Sequence, residues 1–243
     1  MRRVYSTNNS SGLIQASVDM LRFLKSRHDY RKISSMTKLP SSTLSRYVSG
    51  RTLPRYKNAY RIVNICSEVI KPGEIIKEVL SPPNEQDNLI TISQDVQKVK
   101  IMALHAFSEL LGVKINSVLA VDIVSIPIAT YFASLTNSSL FFASEKPLWQ
   151  EGEYVEIGYR VDGIASRQRL WIPLKSLDRR NSIVLFVSSV FSVSPLREII
   201  RHFEKSRIPL AAICTLVAYR EVWESILIPS GTKRVATLIL DSK

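Results

Sequence analysis

The sequence predicts an α/β fold with a mainly parallel sheet over residues 98–243, preceded by an all-α segment over residues 1–80. Three observations carry this expectation. From residue 117 onward, apolar runs of strand length alternate with amphipathic stretches at helical spacing: SVLAVDIVSI, then PIATYFASLT; SLFFAS; IVLFVS, then PLREIIRHFEKS; and LAAICTLVAY. That order builds strand–helix–strand units. Before residue 80, apolar residues recur only at helical spacing. Between the two segments, SPPNEQDN at 81–88 places two prolines ahead of polar and acidic residues, which breaks the pattern and marks a linker over 81–97.

The elements follow in chain order. SVDMLRFLKSR puts Val18, Leu21 and Leu24 on one stripe, and DYRKISSMTKL does the same with Ile33 and Met36. In LPSSTLSRYVSGRTLP, Pro40 with Ser41 or Ser42 starts a helix, Leu44, Tyr47 and Val48 face inward, and Gly50 ends it in a left-handed turn. RYKNAYRIVNICSEVI buries Ala59, Ile62, Val63 and Cys66. Beyond the linker, VQKVKIMALHAFSELLGV is a long amphipathic helix, while YVEIGYRV and SRQRLWIPL read as a strand pair.

The chain carries a net charge of +12 over 243 residues, and its distribution is informative. Residues 1–84 hold 15 Lys/Arg against 5 Asp/Glu, whereas residues 85–243 hold 18 against 16. A basic surface confined to the N-terminal third attracts polyanions, double-stranded DNA first among them. The longest apolar run, VLAVDIVSIPIATYFASL, is interrupted by Asp122 and Pro127 and reads as a strand and a helix, so no membrane partner is expected. No signal peptide is recognised, and the expected location is cytoplasmic and chromosome-associated. Cys66 and Cys214 lie in apolar segments and are expected as buried, reduced thiols. His28, His105 and His202 are scattered, and no catalytic residue, metal site or cofactor is assigned.

The pattern SSTLSRYVSGRTLP, following two short helices, resembles the helix-turn-helix of phage-repressor-type regulators, over about residues 17–66. The resemblance implies that Ser41, Ser42, Thr43, Ser45 and Arg46 lie on a recognition helix, with Ser42, Thr43 and Arg46 reaching base edges. It implies that Lys38, Arg51, Arg55 and Lys57 contact flanking phosphates. The alternative makes Ser42 and Thr43 helix caps and Arg46 a solvated charge.

The stretch IVLFVSSVFSVSP, Ile183 to Pro195, has the order of a phosphate site: a buried strand, a loop and a helix N-terminus, but without the glycines or acids such loops use. Together with "IPIATYFASLTNSSLFFASEKP", from Ile126 to Pro147, and "LWIPLKSLDRRNSIVLFVSSVFSVSPLREIIRHFEKS", it resembles type I phosphoribosyltransferases, particularly the purine-type members and regulators built on that fold. The family's two acids fall on Ser188 and Ser189, and its phosphate-wrapping turn on Ser192, Val193 and Ser194. The resemblance implies a ligand site of Lys146, Ser188, Ser189, Ser192 and Ser194, a homodimer formed through the larger domain, and a nucleotide or phosphoribosyl diphosphate effector. The alternative for Ser194 is a simple helix cap.

From the missing acid pair and glycine, the expectation is a transcriptional regulator whose larger domain is not an enzyme. Two alternatives stand beside it. One is an active purine phosphoribosyltransferase with an accessory DNA-binding module, which would need a replacement acid such as Asp122 or Glu145. The other is an architectural, chromosome-coating protein.

Overall fold

A computed structural model describes residues 8–80, 88–147, 154–160, 168–173, 177 and 179–241. Among the described residues, the helices before the first strand are α1 (Asn8–Arg27), α2 (Tyr30–Thr37), α3 (Ser41–Val48), α4 (Tyr56–Val69), α5 (Pro72–Val79), α6 (Ile90–Gln94) and α7 (Val96–Glu109). The sheet segment then runs β1 (Ser117–Ala120), α8 (Ser125–Thr136), β2 (Ser139–Phe142), β3 (Val155–Tyr159), β4 (Gln168–Ile172) and β5 (Ile183–Val190). It ends with α9 (Ser194–Ser206), β6 (Leu210–Tyr219), α10 (Arg220–Ser225) and β7 (Lys233–Leu240).

Local chemistry sets several of these boundaries. The Asp29 carboxylate accepts the Lys32 N–H at 2.8 Å to open α2, which closes at Lys38 with φ of 55°. Only three residues, Lys38 to Pro40, separate α2 from α3. Gly50 adopts the expected left-handed conformation, φ 74°, just past α3. Helix α4 buries Ala59, Ile62, Val63 and Cys66, as the spacing predicts. Val18, Leu21 and Leu24 are likewise buried, on a helix of 20 residues.

Five strands form a parallel sheet in the order β2-β1-β5-β6-β7, while β3 and β4 make a separate antiparallel pair. Backbone hydrogen bonds between Ser144 and Trp171, at 3.0 and 2.7 Å, fasten that pair to the segment after β2. Alternation along the strands divides the core between two faces. Val118, Ala120, Val184, Phe186, Ala212 and Cys214 join a cluster with α7, α8 and the earlier helices. Leu119, Leu185 and Ile213 meet α9 and the β3–β4 pair on the other side. Phe132 of α8 lies against Phe186 of β5, ring centroids 5.0 Å apart.

The helical segment and the sheet segment share the first of these clusters. Helix α1 crosses α8 so closely that a Cβ on Gly12 would stand 1.8 Å from the Leu135 carbonyl oxygen, a contact only glycine permits. Helix α5 lies against the edge strand, where a Cβ on Gly73 would stand 3.0 Å from the Thr237 carbonyl oxygen. Of the expected linker, residues 81–87 lie outside the described residues, and Ile90–Gln94 form α6.

Several expectations on element boundaries need correction. SVLAVDIVSI yields a strand of four residues only, and α8 begins at Ser125, ahead of Pro127, because proline is tolerated in a first helical turn. β5 continues to Val190, so Ser188 and Ser189 belong to the strand and not to the loop after it. The long neighbour β6 explains this extension: it carries the pairing on through Ser189↔Val217 and Val190↔Ala218. β7, α5, α6 and α10 were not anticipated. KRVATLIL has mixed polarity, and its strand state comes from parallel pairing with β6.

Candidate functional site

In the sheet order β2-β1-β5-β6-β7, the chain progresses outward in one direction from β1 and in the other from β5. The point of reversal leaves a crevice beyond the carboxyl ends of these two strands, the place where open parallel sheets bind ligands. It is bordered by residues 121–124 after β1 and by residues 191–193 after β5.

One carboxylate joins the two borders. Asp122 Oδ2 accepts the Ser188 N–H at 2.7 Å, and its Oδ1 accepts the Ser125 N–H at 2.9 Å. The Ser125 hydroxyl donates to the Asp122 carbonyl at 2.8 Å and closes a tight turn. Burial pushes the Asp122 pKa above the usual carboxylate range, and hydrogen bonds from Ser188 and Ser125 only partly oppose this, because they bring dipoles and no countercharge. Beneath it, the Thr215 hydroxyl is shared between the carbonyls of Ser188, 3.4 Å, and Val217, 3.0 Å. Phe191 packs on Tyr219 with centroids 4.7 Å apart at the carboxyl ends of β5 and β6.

The expected ligand residues fall as follows. Ser188 is buried and Ser189 half-buried, both within β5. Ser192 and Ser194 are half-buried at the α9 entrance. Val193 occupies the position before that helix, which has no side-chain cap, so Ser194 does not cap it. Instead the Ser192 hydroxyl accepts the Ser194 N–H at 3.4 Å. Lys146 is exposed on the segment after β2, its carbonyl accepting a hydrogen bond from the Ser144 hydroxyl. Glu145 is exposed beside it. Sequence reasoning singled out Asp122 as a replacement acid, but its pairing with Ser188 spans 66 residues and has no local signal.

On the helical side, Ser42, Ser45, Arg46, Arg51, Arg55, Lys57 and Lys38 are exposed, while Ser41 and Thr43 are half-buried. Pro40 precedes α3, which carries no side-chain cap, so neither Ser42 nor Thr43 serves as one. The Ser41 hydroxyl instead donates to the Tyr30 carbonyl at 3.4 Å. The Arg22 guanidinium of α1 donates to the Val48 carbonyl at 3.2 Å, and Asn58 of α4 donates to the Tyr47 hydroxyl at 3.2 Å. Thus α3 is held from both sides at its C-terminal half.

Asp19 of α1 ties the helices to the sheet segment. It accepts hydrogen bonds from the Tyr131 hydroxyl of α8, from Lys100 of α7 at 3.3 Å and from Gln15 at 2.6 Å. Burial alone would push its pKa up, but Tyr131, Gln15 and Lys100 outweigh that and hold the carboxyl below its ordinary value. Among the described residues no group of His, Cys, Asp and Glu is arranged to hold a metal ion. Cys66 and Cys214 are buried and unpaired, and burial pushes the Cys66 thiol up to about 12. Among the described residues no helix is long and apolar enough to cross a membrane.

No sequence family and no curated protein matches the chain. Solved structures do resemble it. Adenine phosphoribosyltransferase from Rhodothermus marinus aligns with a TM-score of 0.56 at 9% identity, covering 70% of this chain and 98% of that one. The Saccharomyces cerevisiae enzyme, complexed with an imino-altritol bisphosphate and adenine, aligns at 0.55 and 11%, covering 69% and 98%. The Thermoanaerobacter pseudethanolicus enzyme aligns at 0.51 and 14%, covering 66% and 99%. A span of 70% exceeds residues 98–243, so the likeness also takes in helical residues before 98.

These comparisons overturn one expectation. Absence of the acid pair and glycine from IVLFVSSVFSVSP led to the view that the larger domain is not an enzyme. The likeness instead runs over nearly the whole length of adenine phosphoribosyltransferases. Residue types in one loop were too narrow a criterion against a likeness of that length. Over about two thirds of the chain, the fold is similar to that of adenine phosphoribosyltransferases.

Proposed function

We propose that the chain is a purine-type phosphoribosyltransferase whose site is the crevice between β1 and β5, joined to a DNA-binding helical unit. What supports the first part is the coincidence of that crevice with a fold shared with adenine phosphoribosyltransferases along nearly their full length. In such a transfer a base nitrogen bonds to the ribose C1 as the bond from C1 to the diphosphate oxygen breaks. Diphosphate leaves with the bonding electrons, and the base gives up its N–H proton.

Each residue has a part suited to its surroundings. The Ser192 hydroxyl and the first amides of α9 offer hydrogen bonds to the 5′-phosphate, with Pro195 contributing none. Lys146 supplies positive charge toward diphosphate. Ser188 and Ser189 offer hydroxyls to ribose. Asp122 keeps the loop after β1 in register with β5, and its ionised form places negative charge beneath the developing ribosyl cation.

Diphosphate release from phosphoribosyl diphosphate, measured with adenine, guanine and hypoxanthine in turn, tests this reading. Release with one base, and at least a tenfold lower kcat in Asp122→Asn, is expected. Silence with every base sinks it.

A second observation favours duplex binding by α3. From Tyr30 to Ser67 the sequence holds lysines and arginines but no Asp or Glu, and Ser42, Ser45 and Arg46 are exposed on α3. A two-fold pair of chains would present two such helices to two half-sites, with the nucleotide or phosphoribosyl diphosphate as effector and the chromosome as location. An electrophoretic shift that weakens with salt and disappears in a Thr43→Ala, Arg46→Ala variant is the expected result. Binding unchanged in that variant overturns it.

A further inference from the structure

The N-terminal half of α4 displays two tyrosines that neither reading above uses. Tyr56 and Tyr60, one helical turn apart, are 41% and 46% exposed. Their rings lie nearly parallel, 16° between planes, with centroids 6.5 Å apart. Lys57 and Arg61 occupy the neighbouring positions of the same exposed face, also one turn apart, and Arg55 stands immediately before the helix. Leu53, on the connection leading in, is 65% exposed. Opposite them, Ala59, Ile62, Val63 and Cys66 are buried, so the orientation of α4 is fixed and the tyrosines cannot turn inward.

Exposed apolar surface gathered into one patch, here Leu53, Tyr56 and Tyr60, marks an interaction surface. Here no ion pair among the described residues engages Arg55, Lys57 or Arg61. The first acid after Arg61 is Glu68, nearly two turns further along α4. A covering partner must therefore be polyanionic and must have flat apolar groups to lay on the rings. Duplex DNA satisfies the first condition only, since its base faces are hidden and only edges reach the grooves. An acidic protein surface satisfies the first but offers no planar groups in regular succession. A single strand satisfies both: phosphates follow the cations while unpaired bases stack on the tyrosines.

We infer that the Tyr56–Tyr60 face of α4, with Arg55, Lys57 and Arg61, binds single-stranded nucleic acid by base stacking. The inference shares Arg55 and Lys57 with the duplex-binding reading, adds the two tyrosines, and is independent of ribosyl transfer. A duplex shift lost in Thr43→Ala, Arg46→Ala while single-strand binding persists separates the two surfaces.

Fluorescence anisotropy with a labelled 20-nucleotide oligothymidine tests the proposal on the full chain. Binding that weakens about tenfold in Tyr60→Ala and further in Tyr56→Ala, Tyr60→Ala is expected, with Tyr56→Phe, Tyr60→Phe close to the native chain. The phenylalanine variant preserves the ring and removes the hydroxyl, so it separates stacking from hydrogen bonding to phosphate. Photocrosslinking of a 5-iodouracil oligonucleotide to the unmodified chain gives a readout free of any folding defect. Crosslinks are expected on Tyr56 or Tyr60. No binding by the native chain at low salt, a phenylalanine variant as weak as the alanine variant, an alanine variant as strong as the native chain, or crosslinks confined to other elements would each overturn it.

Discussion

Asp19, buried, and Asp122, half-buried, are both carboxylates that join segments far apart in sequence, yet their environments treat charge in opposite ways. Asp19 meets the cations Lys100 and Arg22 as well as the Tyr131 hydroxyl, and its pKa is lowered. Asp122 meets only backbone amides and hydroxyls, and its pKa is raised. Hydrogen bonds satisfy a buried carboxylate, but without a countercharge they do not recover what burial costs the ionised form. The first site is therefore built to remain charged and to fasten α1 to α7 and α8. The second holds a carboxyl whose ionised form burial disfavours, between the loop after β1 and strand β5.

The strongest way to break the contrast is to separate α1 from α8. Gly12→Ala sets a methyl against the Leu135 carbonyl at 1.8 Å before relaxation, and is expected to destabilise by about 3 kcal/mol in urea unfolding. Asp19→Ala removes the charged anchor, with an expected loss of about 2 kcal/mol. The figure is below that for a fully enclosed pair because the Lys100 and Arg22 side chains are 29% and 47% exposed. Asp122→Ala withdraws the acceptor from the Ser188 and Ser125 amides and should lose about 1.5 kcal/mol. If Asp122→Ala proves more damaging than Asp19→Ala, the assignment of the main fastening to α1 is wrong.

The pH dependence sharpens the same comparison, and the two signs differ. The folded Asp19 pKa lies below its ordinary value of 3.8, so its contribution is full above that pH and disappears as pH falls through the folded value. The folded Asp122 pKa lies above 3.8, so its contribution is greatest below that pH and declines as pH rises through the folded value. Urea midpoints from pH 3 to 7 should show Asp19→Asn flattening the acid limb, and Asp122→Asn reducing the loss between pH 4 and neutrality. The smallest effect belongs to Ser192→Ala, about 0.5 kcal/mol, since its contact with the Ser194 N–H is long at 3.4 Å and half-exposed.

Much of the fold was legible because the governing patterns are local. Helical spacing in YKNAYRIVNICSEV identified the four buried residues of α4, and LAAICTLVAY matched β6 from end to end. Gly50 followed from its place after an amphipathic helix. Other features were decided by neighbours distant in sequence. Ser188 and Ser189 read as loop residues until β6 supplied partners that extend β5, and β7 has mixed polarity that only an adjacent strand resolves. The same holds for Asp122: the sequence names it as a candidate acid, but its contact with the Ser188 N–H, 66 residues away, has no local signal.

By itself the sequence determined which residues of the main helices face inward, that strands and helices alternate after residue 117, and that positive charge gathers in the first third. These depend on periodicity, backbone preference and composition, which act within a few residues. Only the tertiary structure decided that α1 lies against α8 across Gly12, that Asp19 is held by Tyr131 and Lys100, and that Asp122 closes onto Ser188. Those contacts follow from packing two faces of one sheet, where the partner of each polar group is set by which segments share the interior.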